Sequence, residues 1–310
     1  MKEFHISHKC IFLSFILISS YSTPIFTNNI SQLPLGEIDE RRDSISDNHA
    51  WEWAISAGNS GTNSQPDFGR EIFVTSSGGA LVVGLFSGSM NIGQCTVTPT
   101  AASSYQNAIF VAKLTSNGSC DWLTTASKQG SGSVPHHGNS YHAFDVVMDD
   151  YGDIFVTGSL DTTFAHTYNF GNITTTSIKG GFIGKINGIN GTWEWVVEDD
   201  QSSTVAYRHI EVANSGSIWI IYSHCCQSSA TNPMIKKFNS TGTYQSTISI
   251  SSYSNYARIL DTASNVDDDL FIVGSFQYSI SAEIDGVQHT YSASGNARHL
   301  FAMKFDSNDK

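Results

Sequence analysis

One phrase recurs four times along this chain. A chain that repeats a unit of this size is confined to architectures that set copies of one unit side by side. The phrase runs FDVVMDDYGDIFVTGSL from Phe144 to Leu160. Its relatives are REIFVTSSGGALVVGLF from Arg70, RHIEVANSGSIWIIYSH from Arg208 and LDTASNVDDDLFIVGSF from Leu260. Gly78, Gly152, Gly216 and Asp268 hold the turn, at intervals of 74, 64 and 52 residues. Two apolar stretches flank a tight polar turn in each copy, which is the pattern of a β-hairpin.

A second phrase follows each hairpin: FVAKLTSNGSCDWL from Phe110, FIGKINGINGTWEWV from Phe182, MIKKFNSTGTYQST from Met234 and FAMKFDSNDK from Phe301. Lys113, Lys185, Lys237 and Lys304 share one position in it, and Trp122, Trp195 and Tyr244 mark a last strand. Each unit is therefore four antiparallel strands in roughly 50 to 70 residues, the size of a propeller blade. No stretch longer than a turn shows helical periodicity. The expected fold is all-β: a β-propeller of four four-stranded antiparallel blades.

These phrases resemble the β-propeller repeats of secreted bacterial and archaeal proteins, whose core reads D-x-x-G-x-h-x-h-x-G with h apolar. Asp149 to Gly158 (DDYGDIFVTG) carries the match, and the resemblance spans Trp51 to Lys310. The third copy departs from it, with Ile221-Tyr222 where the terminal Gly belongs, and the fourth has Asp268 for the turn Gly. The resemblance implies an architecture rather than an activity.

The fourth copy reaches only a third strand, while Trp51-Glu52-Trp53-Ala54 repeats Trp193-Glu194-Trp195-Val196 of the second. The N-terminal strand is thus expected to pair beside Phe301–Phe305 and close the ring, leaving no unpaired edge. Connections alternate between the two faces of such a disc. Short turns fall on one face; long connections, at 87–107, 128–141, 161–180, 223–233 and 277–298, fall on the other. Loops on a rigid scaffold are where binding residues concentrate.

The chain opens with Lys2 and Lys9, then the apolar run Cys10–Ile18 and small residues around Ser20-Tyr21-Ser22. This fits a signal peptide over 1–22, too short to span a membrane, with a polar lead-in over 23–50 and the propeller over 51–310. An uncleaved anchor or a buried strand is the alternative. The protein is then expected to be secreted or held at the cell surface. In that oxidising setting Cys95 and Cys120 form a disulfide, while Cys225-Cys226 are a vicinal pair or two thiols. Sequons stand at Asn29, Asn117, Asn172, Asn190 and Asn239, those at 117, 190 and 239 on the short-turn face.

Sixteen Lys and Arg against 28 Asp and Glu give a net charge of −12, which excludes a nucleic-acid binder that works by neutralising phosphates. Asp149-Asp150-x-x-Asp153 and Asp267–Asp269 lack EF-hand spacing, and Asp in a hairpin turn caps backbone N–H groups. His136, His137 and His142 share a Gly/Ser-rich loop that a transition metal or only solvent would occupy. No G-x-S-x-G, H-E-x-x-H or phosphate loop is present.

One set of equivalent polar positions remains. Seven residues before each turn stand Glu71, Asp145, His209 and Asp261. The innermost strand of a blade lines the channel, so these four form the candidate ligand-binding ring, suited to a divalent cation or a cationic ligand group, or simply to separate hydration. No other cofactor is implied. The leading reading is a binding module whose long-loop face meets a protein or carbohydrate. The alternatives are an enzyme whose site is assembled at the tunnel from several blades, and a purely structural surface repeat.

Overall fold

The structure, a computed structural model, describes residues 52–58, 67–98, 107–129, 145–160, 166–178, 180–198, 207–222, 232–252, 257–265, 267–284, 287–295 and 297–306. The expected signal peptide, the lead-in, Cys225-Cys226 and His136, His137 and His142 lie outside them. Every regular element among the described residues is a strand, and all pairings are antiparallel.

In chain order the strands are β1 (Ala57–Gly58), β2 (Phe68–Val74), β3 (Ala80–Ser87), the short β4 (Met90–Ile92) and β5 (Cys95–Val97), β6 (Asn107–Leu114) and β7 (Cys120–Lys128). Then follow β8 (Asp145–Met148), β9 (Ile154–Ser159), β10 (His166–Phe170), β11 (Ile173–Ile178), β12 (Gly181–Ile186) and β13 (Trp193–Glu198). The remainder are β14 (Tyr207–Val212), β15 (Ile218–Tyr222), β16 (Met234–Phe238), β17 (Tyr244–Ser252), β18 (Arg258–Ser264), β19 (Leu270–Phe276), β20 (Ser279–Ile284), β21 (Val287–Ser292) and β22 (His299–Phe305).

The four expected units are present as sheets. Unit 1 is β2-β3-β6-β7, unit 2 is β8-β9-β12-β13, unit 3 is β14-β15-β16-β17, and unit 4 has the three strands β18-β19-β22. Their first hairpins close alike. Thr75, Asp149, Ala213 and Asn265 each exchange backbone hydrogen bonds with residues three and four further on. Left-handed φ values of 80°, 86°, 80° and 64° fall at Gly78, Gly152, Gly216 and Asp268. Such a φ is free for glycine and tolerated by Asp, which explains which residues hold this place.

The departure in unit 3 has a packing cause. A Cβ on Gly84 would lie 2.0 Å from the Phe68 carbonyl and 2.6 Å from the Phe110 ring, and Gly274 faces Arg258 and Phe301 in the same way. In unit 3 this position is Tyr222, and the residue paired with it on the third strand is Met234 instead of Phe. The aromatic ring has moved to the other strand of the pair.

Apolar residues on opposite faces of each sheet form the core at the joints between units. Leu81, Val83 and Val111 of unit 1 meet Val146, Ile154 and Phe182 of unit 2. Phe155 and Ile183 of unit 2 meet Ile210 and Ile220 of unit 3, and Trp219 and Ile235 of unit 3 meet Ile272 and Phe301 of unit 4.

Two expectations are corrected. Three of the long connections are not irregular: they hold the hairpins β4–β5, β10–β11 and β20–β21. Each hairpin lies in the connection between the second and third strands of its own unit and adds to an outermost strand elsewhere. Thus β10 pairs with β7, β20 with β17, and β4 with β1. A polar pair stands directly across all three, Asn with Thr in two and Ser with Thr in the third: Thr96 donates to Asn91 (2.8 Å), Thr174 to Asn169 (3.0 Å), and Ser281 shares a hydrogen bond with Thr290 (2.8 Å). Ring closure is not formed among the described residues either. There β22 pairs only with β19 and β1 only with β4, so of the expected strand Trp51–Ala57 the described part, residues 52–57, does not pair with Phe301–Phe305. The N-terminal segment instead completes the sheet of the first hairpin.

Candidate functional site

The four residues of the expected ring occupy equivalent places in the first strands. A β-bulge precedes Glu71, His209 and Asp261, and turns these residues relative to the ladder. The acids then serve the backbone: Ile72 N–H donates to Glu71 (3.2 Å), Val146 N–H to Asp145 (2.8 Å) and Thr262 N–H to Asp261 (2.9 Å). Histidine in unit 3 leaves Ile210 N–H without this acceptor from its own unit, and Asp145 Oδ2 accepts it across the joint at 3.1 Å. His209 Nδ1 lies 3.9 Å from the same oxygen. The structure therefore brings Asp145 and His209 together, with Asp145 fully buried. Among the described residues no three of His, Cys, Asp and Glu are grouped as a metal site.

A second acid joins the next pair of units. Glu211 accepts from Thr262 Oγ1 (3.1 Å) and Ser264 Oγ (3.3 Å), and Asp268 accepts from Ser215 N–H (3.1 Å). The repeated lysine has a related role. A bulge on the fourth strand opposite it turns Asp121, Glu194 or Gln245 toward the lysine's side of the ladder. Lys185 binds Asp153 (2.7 Å) and Glu194 (3.0 Å), and Lys304 binds Asp269 (2.8 Å). Unit 3 has Ser217 and Gln245 at the acid positions, and there Lys237 stands 4.6 Å over the Trp219 ring.

These contacts set the protonation. Burial acts to lower the Lys185 pKa, but the hydrogen bonds to Asp153 and Glu194 outweigh it and hold the pKa above its ordinary value. The Lys185 hydrogen bond holds Glu194 below the usual carboxylate range against partial burial. Burial, joined by the neighbouring Asp153 charge, holds Asp149 above its ordinary value against the pull of the Asp153 and Tyr151 N–H groups and of Lys185.

A cleft of about 170 Å³ opens where the turns of unit 2 meet unit 1. Thr75, Lys113, Asp153 and Gly188 line it together with Met148, and Lys113 Nζ donates to the Gly188 carbonyl at 2.7 Å. Tyr151 and Ile189 also line it, each 85% exposed. Both residues lie in short turns, away from the long connections where the sequence leads one to expect binding. A signal was present: the turn Asn187–Gly191 closes from Gly191 N–H to Asn187 O, one residue longer than Thr115–Gly118, and the added length carries an apolar side chain to its tip.

Cys95 and Cys120 form the expected disulfide, with Cα atoms 6.0 Å apart. No described helix is long and apolar enough to cross a membrane. A scan of known protein-family models and a search of curated proteins each find no match to this chain.

Proposed function

We propose that this chain is a secreted or cell-surface binding protein, its units the blades of a β-propeller of the bacterial and archaeal repeat type, and that it takes a carbohydrate ligand at the cleft lined by Tyr151 and Ile189. The exposure of these two side chains carries the reading. An aromatic face and an aliphatic side chain beside polar groups form the pattern of a small-molecule site, apolar walls for area and a few donors and acceptors for orientation. Tyr151 offers a stacking surface for a sugar ring, while Asp153, Thr75 and the remaining donors of Lys113 face its hydroxyls. A protein ligand would meet the same residues as the centre of a larger patch. The disulfide supports the compartment, since such bonds persist where the surroundings are oxidising.

Glycan-array screening of protein made without N-glycans, followed by calorimetry, tests this. Tyr151→Ala is expected to weaken binding about tenfold or more. Tyr291→Ala, exposed on β21, is expected to leave it unchanged. Equal affinity for wild type and Tyr151→Ala, or no glycan bound, would overturn the carbohydrate reading.

A further inference from the structure

Among the described residues the two ends of the series of units are complementary. At one end, residues 53–58 occupy the place of an outermost strand. Trp53 Nε1 donates to Ser116 O (3.0 Å) as Trp122 Nε1 donates to Gly188 O (3.2 Å). Ala57 and Gly58 pair with Ile92 and Asn91 as Ala126 and Ser127 pair with Phe170 and Asn169. No described strand pairs with the other edge of this segment. At the same end of the series Ile72 and Val74 of β2 are 51% and 61% exposed, whereas Val146, the counterpart of Ile72 in unit 2, is 0% exposed. At the other end, unit 4 holds three inner strands and no described partner for the far edge of β22. Its Phe271 and Leu300 are 41% and 74% exposed, whereas Phe155, the counterpart of Phe271, is 1% exposed.

We propose that a second copy of this chain fills both vacant edges. Residues 53–58 of one copy pair antiparallel with β22 of the other, and Phe271 and Leu300 of unit 4 cover Ile72 and Val74 of the neighbouring unit 1. Each copy carries both halves of the contact, and within one chain the halves are not joined. The pairing of β12 with β13 sets the register: Lys304 opposite Trp53, Met303 opposite Ala54, Ala302 opposite Ile55. Charge agrees with it. Lys185 binds Glu194, the residue before Trp195, and Lys113 lies 3.4 Å from Asp121, the residue before Trp122. Glu52 precedes Trp53, and Lys304 holds the matching place on β22. Because the two surfaces differ, the contact is head-to-tail and closes into a ring or propagates.

Sedimentation of the 310-residue chain over a concentration series tests the contact independently of any ligand. Association is expected, and Leu300→Asp and Val74→Asp are each expected to weaken it more than about tenfold. Both side chains are exposed, so the variants should keep the wild-type unfolding profile at low concentration. Separate Ala54→Cys and Met303→Cys chains, mixed and oxidised, are expected to yield a covalent heterodimer whose linked peptide contains both new cysteines. A monomer throughout the series overturns the proposal, as does a doubly substituted chain that cross-links only within itself.

Discussion

Unit 2 and unit 4 carry the same hairpin phrase, yet their matching residues live in different surroundings. Val146 and Phe155 are buried, each against a neighbouring unit on its own side of the sheet. In unit 4, Thr262 is buried toward unit 3, while Phe271 on the other face is open. The difference lies in what stands next to the sheet. A repeat fixes which residues point to each face, and the adjoining unit fixes whether that face contributes to stability. Phe155→Ala should therefore cost about 3–5 kcal/mol, the range for truncating a buried aromatic. Phe271→Ala, measured at a concentration low enough to keep chains apart, should cost less than about 1 kcal/mol. Urea unfolding of the two variants decides it, and equal losses would break the comparison.

The three added hairpins sharpen the same point, because each carries a cross-strand polar pair and they differ in their anchoring. Met90 and Ile92 of the first are buried beneath Phe86 and Phe110, and its Cys95 is bonded to Cys120 of unit 1. The other two hairpins have no disulfide among the described residues. Replacing Cys95 and Cys120 by Ser should lower stability by about 3 kcal/mol, as for a loop of this length. Hydrogen exchange should rise in β4–β5 and stay unchanged in β10–β11. Uniform loosening of both hairpins would show that the bond does not act locally.

The sequence made the units legible because every contact that defines one is short in range. Turn residues, the alternation of apolar positions and the Gly84-type close approach all lie within one phrase. Asp268 illustrates this: it replaces a turn glycine, and the backbone there is left-handed as at Gly152. What stayed hidden depends on partners from other units. Ile173-Thr174-Thr175-Thr176 follows a Gly-Asn turn and is a strand by its own composition, but its hairpin packs on β7, about one unit earlier in the chain. The repeat phase marks Asp145 as a ring residue but does not reveal its partner in the next unit. The Asp145 carboxylate reaches Ile210 N–H, a need created by the histidine in the next copy, which no single phrase records. The disulfide was legible from two cysteines and a compartment, and Ile189 from a turn one residue longer than its counterpart; Tyr151 was not, because its exposure depends on the fold around it.

The smallest expected effect separates the lysine clamps. Lys185 is mostly shielded and holds two acids, whereas the Lys304–Asp269 pair is more open. Glu194 has its pKa depressed below 4.5 by Lys185, so its stabilisation is present above about pH 4.5 and is lost as pH falls through the folded value. Lys185 has its pKa raised above 10.5, so its share is present below that pH and lost as pH rises through the folded value. Between these limits the clamp contributes fully. Partly exposed ion pairs are screened by solvent, and Lys185→Met should therefore cost about 1 kcal/mol at neutral pH, with most of that difference gone in acid. The same substitution at Lys304 removes a pair with Asp269 that is more open to solvent, so its cost should be smaller than that at Lys185. Melting curves of both variants and wild type at neutral and acidic pH provide the measurement. A Lys185→Met cost that does not shrink in acid would mean that the side chain stabilises unit 2 through its methylenes over Phe155 and not through its charge.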